Sequence, residues 1–136
     1  MSSSSLDALV GARLLLVDDD ADFISYMASL FRHAGVASIE SVYSGLEALE
    51  ALAADGDYDL IVTDVRMPTP SGIQLVTMAR TADYEVPFLV VTAFPDAKVL
   101  QQACQHRATD ILGKPFAPEK LLEVASKLLE NAHVAA

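Results

Sequence analysis

The chain has 136 residues, 52% of them hydrophobic, and a chain of this length can bury the core of one ordinary domain. No apolar run approaches the roughly 20 residues that a membrane-spanning helix needs, so the sequence predicts a soluble protein and no membrane contact. Nine basic residues face 19 acidic ones, for a net charge of −10, which argues against nucleic-acid binding by this chain, because phosphate backbones are bound by clustered Lys and Arg.

The start of the chain resembles neither a secretory signal nor a folded element. Residues 1–12 carry a serine run with no basic segment and only a short apolar stretch, and we expect them to form a flexible leader. We expect one domain over residues 13–132 and a C-terminal tail at 133–136. The one cysteine, Cys104, excludes an internal disulfide and favours a reducing, cytoplasmic environment.

Four short apolar runs predict buried strands, and each ends at a side chain that can bind phosphate or a metal. They are residues 14–17, before Asp18, Asp19 and Asp20; 60–63, before Asp64; 88–91, before Thr92; and 111–113, before Lys114. Residues 37–42 are predicted as the second strand. Because ligands bind parallel sheets at the carboxyl ends of the strands, we expect these polar side chains to gather at one edge.

Helical segments with readable ends separate the strands. Residues 21–34 have an apolar face and are followed by Gly35, which favours a left-handed stop. Two segments match the reciprocal capping box that begins a helix, 44–47 and 71–74, and the last helix is predicted to begin at Pro118. Five strand–helix alternations predict an α/β fold: a doubly wound, five-stranded parallel sheet with helices on both faces.

The acidic residues at the strand ends indicate a cation site. Asp18 and Asp19 directly follow a strand, as Asp64 does, whereas most short acidic runs are solvated turns or helix faces. Two carboxylates about 4 Å apart would repel by roughly 4 kcal/mol at an effective dielectric of 20, so a proton or a cation must be present. Mg²⁺ takes oxygen ligands and leaves positions for phosphate oxygens.

In this order, the motifs resemble the receiver domain of bacterial two-component response regulators, the CheY-like superfamily, over about residues 12–132. The motifs are Leu16-Val17-Asp18-Asp19, Val62-Thr63-Asp64-Val65-Arg66-Met67-Pro68 with Ser71-Gly72, Val91-Thr92-Ala93, and Lys114-Pro115-Phe116. The resemblance implies a flavodoxin-like (βα)5 fold with strand order 2-1-3-4-5. It also implies a cis peptide bond before Pro115.

The resemblance also implies the role of each site residue. Asp64 would accept a phosphoryl group from a phosphohistidine of a sensor histidine kinase or a histidine phosphotransfer protein. Asp18 and Asp19 would hold Mg²⁺ together with Asp64 and the backbone carbonyl of Arg66. Thr92 and Lys114 would contact the phosphoryl oxygens. Such a protein is a signalling phosphoacceptor that catalyses only its own phosphorylation and dephosphorylation.

Four positions are expected to tune or alter the switch. Ile111 stands where the family usually has Tyr or Phe, so we expect the conformational change to run through Thr92 and the backbone after it rather than through a rotating ring. Arg107 stands where a Gly is usual, which predicts an altered turn. Arg66 and Phe94 occupy positions that tune the lifetime of the phosphoryl group, and the bulk of Phe94 favours slow self-dephosphorylation.

The output is expected to be a protein contact. Phosphorylation would alter the face built by the fourth helix, the last strand and the last helix, which would bind a downstream protein or a second copy of the chain. Two alternatives stay open: a pseudo-receiver that binds partners without phosphorylation, and a small haloacid-dehalogenase-like phosphatase. The phosphatase would use Asp18, Asp20, Thr92 and Lys114, and it leaves Asp64 without a role.

Overall fold

The computed structural model describes residues 4–54, 57–93, 96–106 and 109–135. A 3-10 helix, Ser4–Leu9, precedes five alternating strands and helices: β1 Arg13–Val17, α1 Ala21–His33, β2 Ser38–Val42, α2 Gly45–Ala54, β3 Leu60–Asp64, α3 Gly72–Thr81, β4 Phe88–Thr92, α4 Ala97–Cys104, β5 Thr109–Gly113 and α5 Pro118–Ala135. The strands form one parallel sheet in the order β2-β1-β3-β4-β5. The predicted fold class and strand order are confirmed.

The register of the sheet brings the strand ends to one level. Val17, the last residue of β1, pairs with Thr63 of β3, and Asp64 pairs with Val91 of β4. Thr92, the last residue of β4, pairs with Gly113 of β5. The residues that follow β1 and β5 therefore lie beside the ends of β3 and β4, at the edge where the sequence predicts a site.

Side chains of the strands alternate between two buried layers. Leu14 and Leu16 of β1 pack with α1 and α5, whereas Leu15 and Val17 pack with residues of α2 and α3. Alternation along a strand follows from the two-residue period of extended backbone. Apolar side chains on both faces explain why these strands read as unbroken hydrophobic runs.

The helix ends agree with most of the capping signals. Gly35 has φ +103° after α1, and Ser71 and Gln74 form both hydrogen bonds of a capping box at α3. At α2 only half of the predicted box is present: the Glu47 N–H donates to Ser44 Oγ, but the Glu47 carboxylate accepts from the Tyr43 N–H. α5 begins at Pro118 as predicted.

Parts of the expected leader and tail are helical, whereas residues 1–3 and 136 lie outside the described residues. Leu9, at the end of the 3-10 helix, is fully buried and belongs to the core layer that contains α5, because an apolar side chain next to a helix gains by leaving water. α5 extends to Ala135, so residues 133–135 belong to that helix. Among the described residues, no helix has the length and apolar character that spanning a bilayer requires.

Candidate functional site

Three carboxylates meet at the carboxyl edge of the sheet. Asp18, Asp19 and Asp64 each offer an oxygen that lies within 4.8 Å of the others. Asp18 is buried, Asp64 is half-buried and Asp19 is exposed. The group is therefore open to solvent on the Asp19 side and closed beneath Asp18.

Asp18 is fixed by hydrogen bonds at the end of β1. Its backbone N–H donates to the carbonyl of Val42 at 3.3 Å, and its Oδ1 accepts from the backbone N–H of Asp20 at 2.9 Å. Oδ2 is buried and has no hydrogen-bond partner among the described residues, although it faces Lys114 Nζ at 3.5 Å. This oxygen is available as a ligand.

Asp64 is held by the loop that follows β3. The backbone N–H of Val65 donates to Asp64 Oδ1 at 2.8 Å, and the backbone N–H of Arg66 also donates to this carboxylate. The loop then returns to the strand, because the Gly72 N–H donates to the Val65 carbonyl. A Cβ on Gly72 would lie 2.0 Å from the Asp64 carbonyl oxygen, so only glycine permits this approach.

Lys114 reaches both carboxylates from the end of β5. Its ammonium lies 3.5 Å from Asp18 Oδ2 and 3.9 Å from Asp64 Oδ2. The Lys114 backbone N–H donates to the carbonyl of Thr92 at 2.7 Å, which joins the ends of β4 and β5. Thr92 is buried. The peptide bond before Pro115 is cis, as predicted.

Two residues beside the site make contacts that the sequence did not predict. Asp20 caps α1: its Oδ1 accepts from the backbone N–H groups of Asp22 and Phe23. It is not part of the carboxylate group, which weighs against the phosphatase interpretation. Phe23, in the first turn of α1, is half-buried against the core layer that contains α1 and α5, and its ring centroid lies 4.0 Å from Lys114 Nζ.

The structure describes two of the four residues that were expected to tune or alter the switch. The side chain of Arg66 is exposed, and Ile111 is half-buried against the core layer formed with α2 and α3. Phe94 and Arg107 lie outside the described residues. The structure therefore brings together Asp18, Asp19, Asp64 and Lys114, with Thr92 joined to Lys114 through the backbone.

Burial and like charge raise the pKa of the Asp18 carboxyl from 3.8 to about 6. Loss of hydration is the largest cause, and the charges of Asp64 and Asp19 add to it. The hydrogen bond from Asp20 and the charge of Lys114 oppose the rise. Without a metal, the site holds more negative charge than one ammonium can offset.

The pKa of Asp64 is also raised, mainly by burial, against the opposing effects of Lys114 and of the backbone N–H groups of Val65 and Arg66. A divalent cation bound beside these carboxyls would lower their pKa again, because its charge stabilises the ionised form. The three carboxylates, including the Asp18 oxygen that accepts no hydrogen bond from the described residues, fit a cation that prefers oxygen ligands, such as Mg²⁺.

Residues 14–126 match the response regulator receiver domain family, and this chain belongs to it. The chain is 33% identical over 118 residues to the C4-dicarboxylate transport transcriptional regulatory protein DctD of Rhizobium meliloti, covering 87% of this chain and 25% of that protein. It is 33% identical over 119 residues to the transcriptional regulatory protein CusR of Escherichia coli, covering 88% and 52%. The chain thus spans between a quarter and about half of these curated relatives.

Solved receiver domains have the same fold over nearly their whole length. The chemotaxis protein CheY4 of Vibrio cholerae superposes with a TM-score of 0.78 at 29% identity, covering 86% of this chain and 98% of that one. The receiver domain of a LuxO repressor protein from Vibrio parahaemolyticus superposes with a TM-score of 0.83 at 22% identity, covering 91% and 94%. The latter similarity supports the fold alone.

The raised pKa of Asp18 predicts a pH dependence of stability in metal-free protein. Between about pH 4 and 6 the native state binds more protons than the unfolded state, so the free energy of unfolding falls as pH rises and levels off above this window. We expect Asp18→Asn to remove most of this decline and to be about 2–3 kcal/mol more stable than wild type at pH 7.

Urea denaturation from pH 4 to 8 with a chelator present measures both effects. Glu50→Gln, on the exposed side of α2, controls for the loss of one negative charge. A wild-type decline that Asp18→Asn retains in full would contradict the cost assigned to the buried carboxylate.

Proposed function

We propose that this receiver domain is the phosphoacceptor of a two-component phosphorelay and that Asp64 receives the phosphoryl group from a phosphohistidine of a histidine kinase or phosphotransfer protein. The observation that carries the proposal is the ammonium of Lys114 between the carboxylates of Asp18 and Asp64. A phosphoryl group on Asp64 would meet a positive charge already in place. Positioning and charge neutralisation are the main needs of phosphoryl transfer.

The proposed transfer needs no further reactant. A carboxylate oxygen of Asp64 attacks phosphorus, the phosphorus–nitrogen bond of the phosphohistidine breaks, and the imidazole leaves with the electron pair. The product is an acyl phosphate on Asp64. The N–H groups of Val65 and Arg66 orient the carboxylate beforehand, Lys114 binds a phosphoryl oxygen, and the hydroxyl of Thr92 donates to another.

We assign Asp18, Asp19, Asp64 and the backbone carbonyl of Arg66 as the residues that would hold Mg²⁺. When bound, Mg²⁺ supplies the positive charge that offsets the carboxylates and the incoming phosphoryl group. Asp18 would contribute a ligand from the closed side of the site, and the exposed Asp19 would contribute one from the solvent side.

The domain would act as a cytoplasmic signalling component that catalyses only its own phosphorylation and dephosphorylation. Its output would be a protein contact through the face formed by α4, β5 and α5, to a downstream partner or a second copy of the chain. The hydrogen bond between Lys114 and the Thr92 carbonyl supports coupling of the phosphoryl site to β5. Arg66 and Phe94 would set how long the phosphoryl group persists.

Asp64 is expected to be the only phosphorylated residue. Incubation with Mg²⁺ and acetyl phosphate should give one labile adduct that maps to Asp64 and is absent in Asp64→Asn. Asp110→Asn, an exposed carboxylate on β5, should still be labelled. Label that persists in Asp64→Asn or maps to Asp18 would favour the phosphatase, and no label in wild type would favour the pseudo-receiver.

Mg²⁺ affinity should fall about tenfold or more in both Asp19→Asn and Asp64→Asn, because neither carboxylate alone offsets the cost of dehydrating the cation. Calorimetric titration measures this. Asp20→Asn is a matched control, since Asn also caps helices well and Asp20 lies outside the carboxylate group. Equal affinity in all three variants and wild type would remove the proposed metal site.

Phosphorylation is expected to shift a conformational equilibrium that Thr92 transmits. With a beryllofluoride mimic and Mg²⁺, amide NMR shifts of residues 93–112 should change in wild type and much less in Thr92→Ala. Thr81→Ala, at the exposed end of α3, should respond like wild type. An unresponsive wild type, or an equal response in Thr92→Ala, would refute this route from the site to the surface.

A further inference from the structure

We propose that Phe23 is a positioning residue for Lys114: the face of its ring holds the ammonium against the carboxylates of Asp18 and Asp64. This inference rests on the proposed function, because Lys114 matters to phosphoryl transfer only if Asp64 is the acceptor. It assigns a role to an aromatic side chain that the pattern of α1 places with the core.

The contacts of Lys114 leave its ammonium confined on two sides. Nζ lies 3.5 Å from Asp18 and 3.9 Å from Asp64, and it lies 4.0 Å from the centroid of the Phe23 ring. A cation over an aromatic face is attracted by the ring quadrupole, more so when water is partly excluded. The Lys114 side chain is only 22% exposed, so the ring replaces solvent on that side of the ammonium.

A lysine needs such a support more than an arginine would. Its four-carbon stem is flexible and its head is a point charge without directional fork geometry. Carboxylates alone fix the distance of the ammonium but leave the stem several rotamers. The ring of Phe23 removes those in which the ammonium turns away from the carboxylates towards water.

Phe23 is itself fixed from both ends. Its ring makes an edge-to-face contact with Phe116, at 6.0 Å between centroids and 71° between planes, and such pairs hold aromatic orientation. Its backbone N–H donates to Asp20 Oδ1, and the Asp20 N–H donates to Asp18 Oδ1. The path from Asp18 through Asp20 and Phe23 to Lys114 therefore returns to Asp18.

Because of this closed path, we expect Phe23 to affect the position of the Lys114 ammonium as well as the packing of α1. A core residue would affect the stability of α1 but not the dependence of phosphorylation on Lys114. A positioning residue would slow transfer only while the ammonium is there to be positioned, since preorganised charge is worth more than charge that must first be drawn from solvent.

The experiment compares Phe23→Leu, Phe23→Tyr and Tyr26→Leu with wild type in phosphorylation by acetyl phosphate at saturating Mg²⁺. Phe23→Leu keeps apolar bulk but lacks a π face, and its rate should fall by about twofold to thirtyfold. Phe23→Tyr keeps the face and should restore the rate. Tyr26 contacts the Phe23 ring at 6.1 Å without being part of the path, so Tyr26→Leu should stay near wild type.

A double-mutant cycle identifies the residue through which Phe23 acts. In a Lys114→Met background, Phe23→Leu should have no further effect on the rate. A loss of the same size in both backgrounds would overturn the proposal in favour of packing. Phe23→Met serves as the second variant if Phe23→Leu unfolds by circular dichroism.

A metal-free measurement tests the contact without phosphorylation. Protons over an aromatic face resonate upfield, so the Lys114 Hε signals should move downfield in Phe23→Leu and remain upfield in Phe23→Tyr. Unchanged signals in Phe23→Leu would overturn the proposal. If wild type takes up no phosphoryl label, the proposed function fails and this inference with it; if wild type is labelled and Phe23→Leu is labelled as fast, only this inference fails.

Discussion

The excess of negative charge at one sheet edge is the constraint on which the site depends. Three carboxylates lie together, the ammonium of Lys114 lies within 4 Å of two of them, Asp18 and Asp64, and Asp18 is almost fully buried. Burying a carboxylate beside others costs free energy, which the raised pKa values of Asp18 and Asp64 express. A fold that keeps such a group holds a site that gains stability from any cation that enters it.

The sheet tolerates this cost because the rest of the edge is rigid. Unbroken apolar strands fix the backbone on both faces, and the ends of β3 and β5 are tied by short contacts: Gly72 lies against the Asp64 carbonyl, and Lys114 donates to Thr92. Contacts of this kind keep the charged groups at fixed distances, whereas looser loops would let those distances increase. The same contacts therefore keep the carboxylates close together, which costs free energy, and fix the positions of the groups in the site.

The sequence predicted the position of a site residue correctly where its pattern has a single interpretation. A buried strand followed by a polar side chain places that side chain at the sheet edge, so Asp18, Asp64 and Lys114 were found together. Asp20 was grouped with the strand-end carboxylates, but an aspartate in an acidic run is equally suited to capping a helix, and the structure has it as the N-cap of α1. Phe23 packs against the core layer, as the apolar face of α1 predicts, but only the fold shows that its ring also contacts the ammonium of Lys114. Leu9 lies in a segment too short for periodicity to reveal.

The three consecutive aspartates have different roles at the edge of the sheet. Asp18 points inward to Lys114, Asp19 is exposed, and Asp20 caps α1. Because Asp20 also donates its backbone N–H to Asp18, the start of the helix and the buried carboxylate cannot move independently. The exposed side of the carboxylate group is therefore the side of Asp19, and a phosphoryl donor would approach from that direction. Asp18, Lys114 and Phe23 form the inner side of the site, which would receive the transferred group.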